Sequence, residues 1–246
     1  MIEIRQLSKT FAKHTALDEF SFSAGLGERI ALLGSNGAGK TTLLRILATY
    51  IPAASGFGKI GGFDIFEESL SIRAITGYLP EHVPLYNDMR VAEYLKFRGR
   101  LHNMKRPQVR KRVHDVIADC DLSQWRTSKI GSLSHGLRHR VGLADAMLHE
   151  PKVLLLDDPA SGCDPYQTEK TTAFLADPKR GAERTLIFTS HSRETVLKIA
   201  TRAIFIERGR IMADTTDLAR LKDHSLVDMF GKWKEEFESS KETTAK

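Results

Sequence analysis

One stretch of eight residues constrains this chain more than any other part of it. Residues 34–41 read Gly-Ser-Asn-Gly-Ala-Gly-Lys-Thr, which matches the pattern GxxxxGK[ST]. A short apolar run from Ile30 to Leu33 precedes this stretch, and a helix-like run from Thr41 to Leu47 follows it. A glycine-rich turn in that context lets successive backbone N–H groups point at phosphate oxygens, beside the positive end of a helix. The pattern therefore predicts a phosphate-binding loop.

The residue types in this loop fit that chemistry better than they fit a plain turn. Lys40 is expected to reach the β- and γ-phosphates of a nucleotide, and the Thr41 hydroxyl to bind Mg²⁺. An ordinary glycine-rich turn between a strand and a helix needs neither a lysine nor a threonine at these places. The residues expected to hold the phosphates are Gly34, Ser35, Asn36, Gly37, Ala38, Gly39, Lys40, Thr41 and Thr42.

A second candidate site lies where another apolar run ends in two carboxylates. Leu154 to Leu156 are followed by Asp157 and Asp158. In proteins with a phosphate-binding loop, such a strand end supports Mg²⁺ and a water near the γ-phosphate. Asp157 is the expected metal partner, directly or through a water, and Asp158 the expected general base for the attacking water. Without the phosphate loop, the same residues would indicate only a strand entering a polar turn.

The spacing of the apolar runs predicts an α/β fold with a largely parallel sheet. The further buried strands are expected at Val153–Leu156, Leu186–Thr189 and Ala203–Ile206. Between Pro107 and Cys120 the apolar positions follow helical spacing, so Cys120 should face a core. Helical patterns dominate from about Val91 to Glu150, which indicates a helical subdomain inserted into the α/β body.

Composition excludes several classes of protein but does not identify a function. The chain has 246 residues with 37 Lys+Arg and 31 Asp+Glu, and its 41% hydrophobic content is sufficient for a substantial core. No apolar run approaches the length of a membrane span, and no signal peptide precedes Arg5, so we expect a cytosolic protein. Cys120 and Cys163 fit neither a disulfide framework nor a zinc site, and both are expected to be reduced.

The order of the motifs resembles that of the ATP-binding cassette (ABC) family. Leu133, Ser134, His135 and Gly136 precede the acidic strand where the family carries its LSGGQ-like signature, which opens a helix. The resemblance implies a P-loop NTPase fold with an N-terminal antiparallel β region and an inserted helical subdomain at about residues 82–150. It covers about residues 1–214, and residues 215–246 are expected to form a charged tail with short helices.

The remaining landmarks give the site residues that this resemblance implies. Gly77 to Glu81 resembles the Q-loop, Ser161 to Asp164 the D-loop, and Thr189 to His191 the switch-histidine motif. In the family, the signature grips the γ-phosphate of ATP held by the opposite subunit, and an aromatic residue stacks on adenine. The implied set is Asp158, His191 and Glu81 for catalysis, Thr41, Asp157 and Glu81 for Mg²⁺, Phe11 for adenine, Leu133, Ser134, His135 and Gly136 for the partner's ATP, and Asp164 in the D-loop.

Within the family, the sequence is most similar to ATPase subunits of ABC-2-type exporters. This implies an ATP- and Mg²⁺-dependent homodimer or heterodimer on the cytoplasmic face of the membrane, bound to a separate integral-membrane permease. Three residues depart from the common pattern: Glu81 in place of glutamine, Leu137 in place of glutamine, and Asp158 in place of the catalytic glutamate. Because Asp158 is shorter, we expect slow hydrolysis, with an ATP-dependent switch or assembly subunit as the alternative.

One further stretch, from Lys96 to Arg112, carries eight basic residues and no acidic one. Such a run usually forms a solvated surface. It could instead lie near the anionic cytoplasmic leaflet, which attracts basic clusters. No nucleic-acid-reading motif accompanies it, and the chain has no room for the coiled coils or second cassette of soluble ABC proteins in repair or translation.

Overall fold

The backbone forms two β-sheets, one antiparallel and one mainly parallel. The computed structural model describes residues 1–12, 14–178, 184–219 and 231. The strands are β1 Ile2–Phe11, β2 His14–Ala24, β3 Arg29–Gly34, β4 Ser55–Ile60, β5 Phe63–Asp64, β6 Thr76–Leu79, β7 Val153–Leu156, β8 Thr185–Thr189, β9 Arg202–Glu207 and β10 Arg210–Thr215.

The larger sheet has the order β10-β9-β3-β8-β7-β6, with β10 antiparallel at its edge. Alternate residues of its central strands enter two separate apolar cores, so that Leu155 lies in one core and Leu154 and Leu156 in the other. Burial on both faces explains why these strands form continuous apolar runs in the sequence. The four strands that the sequence predicts are confirmed as β3, β7, β8 and β9.

The smaller sheet is antiparallel, with the order β2-β1-β4-β5. It packs on the apolar core that contains Leu155. That core also includes Phe20 and Leu43, so it joins this sheet to the helix after the phosphate loop. The expected N-terminal antiparallel region is confirmed. In the larger sheet, the structure shows an edge strand, β10, that the sequence analysis does not predict.

The helices are α1 Lys40–Leu47, α2 Ser69–Ile75, α3 Val91–Leu101, α4 Arg106–Asp119, α5 His135–Met147, α6 Pro165–Ala176 and α7 Arg193–Ile199. Helix α4 confirms the predicted helix between Pro107 and Cys120, and Cys120 is buried as expected. Helices α3, α4 and α5 all fall between β6 and β7, and the subdomain limits of 82–150 stay a prediction. Of the expected tail at residues 215–246, the structure describes residues 215–219, which are not helical, and residue 231; the other expected tail residues lie outside the described ones.

Among the described helices, none combines the length and the apolar character needed to span a bilayer.

Candidate functional site

The phosphate loop joins β3 to α1 and needs glycine where the chain passes other backbone. Gly37 and Gly39 have φ values of 79° and 111°, which side chains other than glycine rarely adopt. A Cβ atom on Gly39 would lie 2.4 Å from the carbonyl oxygen of Ala16 in β2, and one on Gly34 would lie 2.3 Å from that of Ile206 in β9. Glycine at positions 34 and 39 therefore lets the loop pass close to β9 and β2.

The turn between β9 and β10 braces this loop. Ser35 Oγ donates to Glu207 Oε2 at 2.7 Å, and the Gly209 N–H donates to the Ala38 carbonyl at 2.9 Å. The Gly209 carbonyl accepts in turn from the Asp18 N–H at 3.0 Å. Sequence reasoning missed Glu207 and Gly209, because neither belongs to a local motif and both lie far along the chain from the loop.

Lys40 lies at the start of α1, inside the curl of the loop. Its ammonium donates to the carbonyls of Gly34 and Ser35 at 2.6 and 2.8 Å. Burial lowers the pKa of Lys40, and the nearby carboxylates of Asp157, Glu207 and Glu81 oppose that shift. The fold thus places the predicted phosphate-binding cation within electrostatic reach of the acidic strand end.

Asp157 follows β7 and is buried, with 4% of its surface exposed. Its Oδ1 accepts a hydrogen bond from Thr189 Oγ1 at 2.8 Å, whereas its buried Oδ2 has no hydrogen-bond partner among the described residues. A buried carboxylate oxygen without a partner is costly unless a ligand satisfies it. The donor set is therefore suited to a hard cation such as Mg²⁺ beside the lysine and the Thr41 hydroxyl.

Asp158 lies next to Asp157 but has a different backbone conformation, with a φ value of 53°. Its N–H donates to the same Thr189 oxygen at 2.9 Å, so one hydroxyl from β8 holds both acidic residues. Burial raises the pKa of Asp158, the charge of His191 opposes that shift, and the carboxylates of Asp157 and Glu81 add to it. The fold therefore brings Asp157, Asp158, His191, Glu81 and Lys40 to one site.

The signature residues open α5, as the sequence predicts for this segment. Ser134 caps the helix by accepting from the Leu137 N–H at 3.3 Å. A Cβ atom on Gly136 would lie 2.5 Å from the Gly162 carbonyl, so the signature packs directly against the D-loop. Asp164 caps α6 by accepting from the Gln167 N–H at 2.9 Å.

Two parts of the predicted set are not bonded to the phosphate loop. For the part of the chain that the structure describes, no hydrogen bond links Leu133, Ser134 or His135 to residues 34–42. Phe11 lies at the end of β1, 46% exposed, with Lys9 Nζ 5.1 Å from the centre of its ring. Its exposed ring belongs to the hairpin whose second strand touches Gly39.

Comparison with known proteins decides the family. Residues 17–161, more than half of the chain, match the ABC transporter family. The chain belongs to the ABC transporter ATP-binding family. As an ABC ATPase it binds ATP and hydrolyses it.

Relatives of this ABC ATPase cover nearly all of it. The uncharacterized ABC transporter ATP-binding protein YxlF of Bacillus subtilis is 32% identical over 230 residues, 94% of this chain and 75% of that protein. The linearmycin resistance ATP-binding protein LnrL of the same species is 29% identical over 232 residues, 93% of this chain and 74% of its own. The ABC transporter ATP-binding protein NatA, also from B. subtilis, is 30% identical over 198 residues, 80% of each chain.

Solved structures support the same fold for this ABC ATPase. The dimeric post-hydrolysis ATP-binding cassette MJ0796, bound to ADP and Pi, superposes with a TM-score of 0.81 at 21% sequence identity. That alignment covers 87% of this chain and 98% of the cassette. An ATP-binding subunit of an ABC transporter gives a TM-score of 0.84 at 22% identity over 95% of this chain and 99% of its own.

Proposed function

We propose that this ABC ATPase powers an ABC-2-type exporter, as a dimer bound to a separate integral-membrane permease on the cytoplasmic face of the membrane. The proposal draws on the resemblance to ABC-2 subunits and on relatives such as the linearmycin resistance protein LnrL. One structural observation carries it: the segment around Glu81 borders both the nucleotide site and a groove large enough to receive part of a partner.

The groove lies between the α/β sheet and the helices that follow β6. Its volume is about 410 Å³, and β6, α3, α5 and the segment after β6 all contribute to its lining. Three arginines, Arg45, Arg73 and Arg98, line the groove together with one acidic residue, Asp145. The Asp145 carboxylate already accepts hydrogen bonds from Arg98 Nε at 2.9 Å and from the Tyr94 hydroxyl at 3.1 Å. The groove is therefore suited to a permease segment with an apolar surface and acidic side chains.

Glu81 links this groove to the chemistry. Its neighbours Pro80 and His82 line the groove, whereas its own charge acts on Lys40 and Asp158. A shift of this segment toward the nucleotide would therefore displace groove residues as well. We infer that ATP binding and permease contact are coupled through Glu81.

The residues of the site have distinct roles in the proposed hydrolysis. Lys40 and the backbone N–H groups of residues 34–42 bind the phosphates, with Phe11 against the adenine. Mg²⁺, when bound, would be held by Thr41, Asp157 and Glu81 and would offset negative charge on the phosphates. Asp158 orients the attacking water and accepts its proton, and His191, which acts on Asp158 electrostatically, contacts the γ-phosphate.

The dimer is proposed because the signature lies apart from this chain's own loop. Leu133, Ser134, His135 and Gly136 would contact ATP held by the opposite subunit, with Asp164 and the D-loop beside them. The helix N-terminus capped by Ser134 suits a phosphate oxygen. The partner is either a second copy or another ATPase subunit.

A second candidate function is favoured by Asp158 itself. Its side chain is one methylene shorter than that of glutamate, so the carboxylate reaches less far toward the attacking water. Slow hydrolysis would make the protein an ATP-dependent switch that closes on ATP and assembles a complex.

The test of the exporter proposal is co-purification with a multi-span ABC-2 permease encoded beside this protein's gene. Tyr50→Arg combined with His82→Glu alters two exposed groove residues and should abolish co-purification and permease-stimulated hydrolysis, while ATP-driven dimerisation persists. Leu26→Arg, at an exposed position outside the groove, is the matched control and should co-purify normally. Equal co-purification of the groove variant and the control would overturn the proposal.

A further inference from the structure

Helix α3 has a second functional face, turned away from the groove. Tyr94, Arg98 and His102 line the groove, whereas Lys96, Phe97 and Arg100 line a separate cleft of about 490 Å³. The far wall of this cleft is the segment that carries Arg126 and Thr127. We call this second space the basic cleft.

The fold holds the distant Arg126 beside α3. The Ala92 N–H donates to the Arg126 carbonyl at 3.0 Å, and the Val91 N–H donates to the Ser128 carbonyl at 3.1 Å. Arg90 also donates to the Thr127 carbonyl. These backbone hydrogen bonds hold the segment against the start of α3 and so keep Arg126 at the wall of the cleft.

The cations of the basic cleft are available for a ligand. Lys96, Arg100 and Arg126 are exposed, and none of them forms an ion pair with another described residue. The one acidic residue that lines the cleft, Glu93, accepts from the backbone N–H of Arg90 at the start of α3. Four cationic residues, Arg90, Lys96, Arg100 and Arg126, therefore line the cleft against one carboxylate that already accepts a hydrogen bond, and Arg90 also donates to the Thr127 carbonyl.

Other basic residues of the same stretch are used inside the protein. Arg98 is paired with Asp145, and Arg112 donates to the carbonyls of Leu148 and Met147 at 3.2 and 3.0 Å. The stretch that appears as one basic run in the sequence is thus divided by the fold into structural cations and a separate exposed group.

Apolar side chains lie at the edge of the basic cleft. Met89 and Phe97 form part of its lining, and Leu101, one turn after Phe97, is 57% exposed. Trp125, next to Arg126, is 39% exposed. Basic residues combined with exposed leucine and tryptophan are typical of surfaces that lie at the headgroup level of a membrane.

The cleft is continuous with the groove through aromatic contacts. Tyr86 packs edge to face on Phe97 of the cleft, with ring centres 5.8 Å apart, and on Tyr94 of the groove, at 6.1 Å. A permease seated in the groove would bring its bilayer to this side of the molecule. This step rests on the proposed function, whereas the charge and apolar character of the cleft do not.

We propose that the basic cleft binds the headgroups of anionic phospholipids, with Lys96, Arg100 and Arg126 on the phosphates and Leu101 and Trp125 at the acyl boundary. Such binding orients the ATPase under its permease and raises its local concentration at the membrane. Each basic residue near an anionic surface contributes about fivefold to the partition constant.

The experiment uses the full-length protein without permease and vesicles of phosphatidylcholine containing about 30% phosphatidylglycerol, with pure phosphatidylcholine vesicles for comparison. Co-sedimentation should show binding to the anionic vesicles that weakens as salt is raised. The triple variant Lys96→Gln, Arg100→Gln, Arg126→Gln should bind about 100-fold more weakly. The matched control Lys105→Gln, Arg110→Gln, Lys111→Gln removes three exposed charges, one from the residue that precedes α4 and two from α4, and should lose less than about fivefold.

Several outcomes would overturn the proposal. The first is equal binding of the protein to neutral and anionic vesicles, and the second is an equal loss of vesicle affinity in the two triple variants. The third is displacement of the protein from vesicles by duplex RNA that binds Lys96, Arg100 and Arg126. Binding to permease-containing membranes alone would assign the cleft to the permease. ATP hydrolysis by both variants should equal that of the unmodified protein, so failure here is separate from failure of the exporter proposal.

Discussion

At the scale of single residues, the hydroxyl of Thr189 holds the carboxylate of Asp157 and the backbone of Asp158, the two acidic residues to which we assign roles in hydrolysis. It donates to Asp157 Oδ1 and accepts from the Asp158 N–H. Thr189→Val should lower kcat about 10- to 100-fold, because displacements of about 1 Å at reacting groups have that effect. ATP affinity should change less than about twofold, because no hydrogen bond in the described part of the chain joins the Thr189 side chain to residues 34–42.

Thr189→Ser is the matched control for this substitution. Serine keeps the oxygen that makes both hydrogen bonds, so kcat should remain within about threefold of the original value. Steady-state ATPase assays and ATP titrations separate the two quantities. A valine variant with unchanged kcat would show that Thr189 does not position the acidic residues.

Asp158 gives the second residue-scale prediction. Asp158→Glu should accelerate single-turnover ATP hydrolysis about tenfold or more, because the longer side chain brings the carboxylate nearer to the attacking water. Asp158→Asn, which removes the charge, serves as the control and should be slower than both. If the glutamate variant is no faster than the unmodified protein, the shorter carboxylate does not limit the rate.

At the scale of elements, the approach of β6 to α5 joins the nucleotide core to the helical segment. Gly77 permits that approach, because a Cβ atom there would lie only 2.0 Å from the Ala146 carbonyl. Gly77→Ala should therefore lower the free energy of unfolding by about 1–3 kcal/mol, as overpacking usually does. The obstructing atom belongs to the backbone, so no change of rotamer can relieve the clash.

Gly25→Ala is the control for this element-scale prediction. Its added Cβ would meet Glu28 no closer than 3.8 Å, an ordinary contact, and should change stability by less than about 1 kcal/mol. Urea denaturation of both variants provides the measurement. Equal stability of the two would contradict the close packing of β6 on α5.

At the scale of the whole molecule, we expect the buried His139 and the partly buried His149 to make stability depend on pH. Burial lowers the pKa of His139 to about 4, with repulsion from His135 adding to the shift. Burial likewise lowers the pKa of His149 to about 4, with His102 adding to it. In the unfolded chain both should titrate near 6.5, so the unfolded state binds more protons between about pH 6.5 and 4.

The stabilisation from the neutral histidines is thus fully present above about pH 6.5 and is lost as pH falls through this window. Each histidine should cost about 1.4 kcal/mol of unfolding free energy per pH unit within the window. His149→Gln and His139→Gln should each flatten the slope of stability against pH, whether or not they are less stable at pH about 7. Slopes unchanged in both the His139 and the His149 variants would refute the linkage.

The part of the candidate site that can be predicted from the sequence is the part formed by contiguous residues. The phosphate loop and the pair Asp157-Asp158 were found because each is a local pattern between a strand and a turn or helix. The residues that depart from the common family pattern, such as Asp158, are also visible locally, because each stands inside a recognisable motif. Glu207 and Gly209 had none, since their contacts with Ser35 and Ala38 span about 170 residues of chain.

The sequence by itself determined four strands of the larger sheet (β3, β7, β8 and β9), the phosphate loop, the acidic strand end and the order of the family motifs, because these depend on local spacing and on burial of both sheet faces. Only the tertiary structure decided that Thr189 bonds both the Asp157 carboxylate and the Asp158 N–H, and that Glu81 lies between the nucleotide site and the groove. It also divided the basic stretch and brought Arg126 beside Lys96 and Arg100. Such contacts join residues remote along the chain, and nothing in their local spacing records which of them will meet.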